Sequence, residues 1–182
     1  MTSEDVLGGT TTFTLDHEAR TEIFREAVTM VLYVSVVEIA ELAAIPEQHL
    51  AGGRVTGPVG ASLLAIVWGT AVGLAIAHWF AFRLAAPAFR GERPTRLDHY
   101  IGLAQVGAAV LVATVSSVPV LLFSDLRAQE TTGDVPALVI GIVGYLIARS
   151  TGRSRLTSVF YAATALALGV LVALVKIRVA AH

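Results

Sequence analysis

From Val59 to Phe82 the chain carries no charged side chain. At 1.5 Å per residue, such a run matches the roughly 30 Å hydrocarbon thickness of a bilayer. Backbone polar groups have no water to bond in lipid, so a run of this kind must close its hydrogen bonds within itself as a helix. Comparable apolar runs cover 24–45, 100–123, 135–148 and 158–175. The fold expected is therefore all-α, a polytopic transmembrane bundle with five spanning helices. Composition agrees: 15% of residues are charged and the mean hydropathy is +0.72, where soluble domains carry about 25% charged residues.

The run 135–148 is the shortest. Thr131 and Thr132 extend it on one side and Arg149 can snorkel on the other; the alternative is a re-entrant or interfacial segment. The first run ends at Pro46, which stops a helix, and its length marks a retained span rather than a cleaved signal peptide. Residues 1–23 form a polar tail ahead of residues 24–182, the helical membrane domain. Asp16 is placed to cap a short lead-in helix over 16–26. Ala51-Gly52-Gly53-Arg54 and Gly57-Pro58 make a turn-rich link between the first two spans.

Positive residues set the orientation. With the amino terminus inside and five crossings, the cytoplasmic segments hold Arg20, Arg25, Arg83, Arg90, Arg93, Arg96, Arg149, Arg153 and Arg155. The outer side then holds only Arg54, Arg127, Lys176 and Arg178. The localisation expected is a multi-pass cell membrane protein with a cytoplasmic amino terminus and an outer carboxyl terminus.

Small residues at helical spacing allow helix backbones to approach closely in lipid. Gly69 and Gly73 are four apart in the second span and are expected to face another helix. Ala104 and Ala108, and Gly141 and Gly144, show related spacings.

Glu38 and Glu41 are the residues whose position costs most. Both lie within the first apolar run, three apart and on adjoining parts of one face. An ionised carboxylate in hydrocarbon must face the bundle interior, take up a proton or find a cation. The third span offers Thr114, Ser116 and Ser117 at a similar depth, with Pro119 freeing the carbonyl of Val115. Together these residues make a candidate ion or proton site if the first and third helices are neighbours. In the structural alternative, Glu41 is neutralised near the interface by Lys176 or Arg54.

At the other end of the second span, His78 could meet Asp98 and His99 in a polar cluster. Its spacing matches no metal motif, so no metal and no cofactor are expected. The absence of cysteine excludes disulfides, thiol nucleophiles and iron–sulfur clusters. No phosphate loop, zinc helix or nucleophile elbow occurs, which argues against an enzyme. A net charge of −1 gives no reason to expect a nucleic-acid partner. The basic link Arg83 to Arg96 serves topology and can touch anionic headgroups. The partners expected are the lipid bilayer and either further copies of the chain or another membrane protein. Two functions follow: a non-catalytic, self-associating membrane subunit, or a proton- or cation-handling transporter or channel using the carboxylates of the first helix.

Overall fold

The computed structural model describes residues 16–45, 48–50, 54–90, 95–123 and 126–180. Most of the amino-terminal tail, Pro46, the turn 51–53 and Arg93 lie outside the described residues, as do the side chains of Arg54, Arg90, Arg127 and Lys176.

Five helices account for nearly all of it: α1 (His17–Leu42), α2 (Ala61–Arg90), α3 (Arg96–Leu122), α4 (Leu126–Ser150) and α5 (Arg155–Ala180). Four of them, α2 to α5, contain stretches long and apolar enough to cross a membrane. The chain is an all-α, multi-pass membrane bundle. Between α1 and α2 the expected turn-rich link holds a small antiparallel hairpin, β1 (Gln48–Leu50) and β2 (Arg54–Thr56), with His49 opposite Val55.

Local chemistry explains the helix ends. The Asp16 carboxylate accepts the Ala19 N–H at 2.7 Å and caps α1. The lead-in expected over 16–26 is thus the first part of one continuous helix of about 39 Å. Thr95 and Asp98 close a capping box on α3. At the end of α4, Gly152 has φ +76°, a backbone conformation that glycine adopts without penalty. It lets Gly152 N–H reach Arg149 O and Arg153 N–H reach Ala148 O, a Schellman closure. The Ser154 hydroxyl then accepts the Thr157 N–H to start α5.

α4 is longer than the run 135–148 suggests, because it continues through Pro136 back to Leu126. Pro136 removes the N–H that would bond the Thr132 carbonyl, while the buried Thr132 hydroxyl donates to Ala128 O.

α1 sits against all four other helices, with α3 and α4 as its main neighbours, α2 flanking α3 and α5 flanking α4. α1 and α3 run parallel. The core between them sets large against small: Met30, Val31 and Val34 of α1 meet Ala108, Ala109, Val112 and Ala113 of α3. A second apolar cluster joins Ile39 to Ile140 and Ala165. α4 and α5 approach closely at Gly144, where an added Cβ would lie 3.3 Å from Ala162 Cα.

Within this chain, Gly69 and Gly73 make no such approach to another described helix. Both are exposed on α2, and a Cβ at either meets nothing within 4 Å. Their four-residue spacing is shared by interior and exterior faces alike, so spacing alone could not tell which face was packed.

Candidate functional site

The ends of α1 and α3 nearest the hairpin hold a chain of polar side chains linking three helices. Glu38 is 1% exposed, and its Oε2 accepts the Ser116 hydroxyl at 2.7 Å. Glu41, one turn further along α1, accepts the Thr70 hydroxyl of α2. The Trp68 indole N–H of α2 donates to the Ser117 hydroxyl of α3 at 3.0 Å, and Ser117 in turn donates to Ala113 O.

Two atoms in this region stand out. Glu38 Oε1 and Ser35 Oγ are buried without a hydrogen-bond partner. Ser35 is 0% exposed and lies three residues before Glu38 on the same helix, close enough to neighbour it on one face. Each unmatched buried group costs about 1–3 kcal/mol, more where it is charged. The carboxyl group is therefore held by one hydroxyl, with its second oxygen open. Lys176 and Arg54, considered as neutralising cations, have side chains outside the described residues.

A second polar contact ties α1 to α3 on the far side of the apolar core. Gln105 Nε2 donates to Glu26 Oε2 at 3.2 Å, and Gln105 Oε1 is buried without a partner. Ser116 and Gln105 are about 16 Å apart along α3. Val34, Val112 and Ala113, all 0–1% exposed, fill the interval. The two polar sites are separated by packed side chains.

Of the residues singled out from the sequence, Glu38 and Ser116 are brought into direct contact, and Glu41 and Ser117 join the neighbouring bonds to α2. Thr114 lies on the exposed face of α3 and donates to Val110 O, so it stands apart. A helix has two sides at any depth, and depth alone placed Thr114 with the serines. Ser35, Thr70 and Glu26 were missed. Ser35 carried a usable signal, being a small polar residue one turn from a carboxylate within an apolar run.

The grouping of His78, Asp98 and His99 does not form as expected. Asp98 accepts the backbone N–H and hydroxyl of Thr95, and His99 is exposed. His78 makes no hydrogen bond or ion pair among the described residues. Among those residues no group of three His, Cys, Asp or Glu could hold a metal ion.

Compared with family models, curated proteins and solved structures, the chain matches none of them.

Proposed function

We propose that this chain is a proton-handling membrane protein that passes protons across the bilayer by way of Glu38, which loads from the outer side. The observation that carries the reading is the buried carboxyl with one open oxygen and a single hydroxyl partner. A purely structural residue at this position would be less costly as an amide or an apolar side chain. A proton suits the site better than a divalent ion, since calcium takes six to eight oxygens and the carboxyl, Ser35 and Ser116 offer four.

The reading includes α1 as a fifth crossing, parallel to α3, with the hairpin outside and the amino terminus in the cytoplasm. Its support is the weight of positive residues on the opposite face. Reporter fusions at both termini test this part; finding the two ends on one side removes the five-span arrangement.

The test of function uses proteoliposomes with an internal pH dye. Wild-type protein should dissipate an imposed pH gradient faster than empty vesicles, and Glu38→Gln should abolish the difference while keeping the helical circular dichroism. An infrared carbonyl band from a protonated carboxyl, lost in Glu38→Gln, is the matching spectroscopic result. Wild-type vesicles that behave as empty ones, with no such band, would exclude the proposal.

A second reading is favoured by the exposed Gly69 and Gly73. A surface of small residues in lipid suits contact with another copy of the chain, which makes the protein a self-associating subunit. Replacing both glycines with leucine would then shift the monomer–dimer balance in detergent and leave proton movement unchanged.

A further inference from the structure

A slot facing the lipid runs between α2 and α3, and its construction differs from that of an ordinary helix crevice. Trp68 and Trp79 line it. They are three helical turns apart, so both indoles leave one face of α2 about 16 Å apart. That distance is close to the hydrocarbon depth of one leaflet, half of about 30 Å. The floor between them is made of single methyl groups, from Ala71 and Ala75 of α2 and Ala109 of α3.

Each indole is fixed against α3. The Trp68 N–H bonds Ser117 Oγ. Trp79 lies across Gly102, where an added Cβ would come within 3.2 Å of its ring. Beyond Trp79 the Arg83 guanidinium stacks over the same ring, 5.0 Å from its centroid. The apolar stretch of α2 ends at Ala81, so Arg83 stands where hydrocarbon gives way to headgroups. Arg83 forms no ion pair with a described carboxylate. A guanidinium drawn over a ring by its charge spends no N–H donor on a carboxylate, and those donors suit a phosphate.

We propose that this slot binds an anionic phospholipid, with one acyl chain lying between Trp68 and Trp79 and the headgroup phosphate on Arg83. The charge at the mouth distinguishes this occupant from a zwitterionic lipid, whose ammonium group offsets its phosphate. It also disfavours a second copy of the chain. Copies inserted in one membrane share an orientation, so a two-fold contact through this face would set Arg83 against Arg83.

The two tryptophans are the only ones in the sequence, so their fluorescence reports on the slot alone. The full-length protein is reconstituted in phosphatidylcholine vesicles containing a small fraction of lipid brominated at mid-chain. Brominated phosphatidylglycerol should quench as though enriched about fivefold over brominated phosphatidylcholine, the ratio one favourable charge gives near a membrane surface. Arg83→Gln should bring the two lipids to the same level, and Arg83→Lys should keep part of the preference. Gly102→Ala, whose added Cβ shifts the Trp79 ring by a few tenths of an ångström, should weaken the preference by less than Arg83→Gln does while the unbrominated spectrum shows the protein folded. Equal quenching by both lipids in the wild type, or an anionic preference that survives Arg83→Gln, would overturn the proposal. So would weak quenching by either lipid together with efficient crosslinking between copies through Val72→Cys, which places a second copy in the slot.

Discussion

α1 carries Glu26, Ser35, Glu38 and Glu41 and is packed against by all four other helices, whereas α2 has no charge before Arg83 and leaves much of its surface open to lipid. Only 22% of the apolar window of α2 is buried inside the bundle, and 11% of that of α5, against 50% for α3. In water the ordering would be reversed, with the apolar helix enclosed and the polar one outside. Lipid removes the hydrophobic drive to bury α2, and within a membrane a carboxylate exposed to hydrocarbon carries the larger cost. α3 mediates between the two, giving Ser116 to α1 and Ser117 to α2.

Substitutions on the enclosed and the open surfaces should therefore differ sharply. The largest effect is expected at Gly144, where α4 and α5 backbones meet. Gly144→Leu should lower stability in detergent by about 3 kcal/mol, the upper end of ordinary overpacking, and a thermal transition shifted by less than Gly69→Leu shifts it would contradict the assigned contact. Next comes Ser116→Ala, which leaves both Glu38 oxygens unmatched and should cost about 1–3 kcal/mol. The double variant Ser116→Ala with Glu38→Leu should recover most of that loss; a loss that simply adds would show that the two side chains are not coupled. Smallest of all, Gly69→Leu and Gly73→Leu should change the stability of the monomer by no more than about 0.5 kcal/mol. A larger drop in monomeric protein would mean that this face of α2 is packed after all.

Much of the architecture could be read from the sequence because hydrocarbon thickness and backbone satisfaction act on whole segments. The run 59–82 reads as a helix whatever its neighbours do. Glu38 was legible for a related reason, since a carboxylate within a long apolar run has few tolerable surroundings. What escaped depended on which side of a helix met which partner. Gly69 and Gly144 belong to the same residue type and similar spacings, yet only Gly144 is packed. Thr131 and Thr132 read as an extension of the fourth run, but its continuation back to Leu126 escaped, because Gly133-Asp134 followed by Pro136 resembles a loop leading into a helix start. The Glu26–Gln105 bond joins residues 79 apart, and nothing local to either announces the other.

The Glu38–Ser116 bond spans 78 residues, and that separation imposes an order on assembly. A ribosome adding about 5–20 residues per second delivers Ser116 roughly 4–16 s after Glu38 on that same scale. During the interval α2 can already supply Thr70 to Glu41, while Glu38 must wait for α3. The insertion machinery thus handles an early helical pair with an unfinished acidic face, completed only by a later segment. Nascent chains arrested before α3 should react at Glu38 with a carbodiimide, and chains arrested after α4 should be protected. Equal labelling of the two lengths would show that the carboxyl is shielded by some other route before its serine arrives.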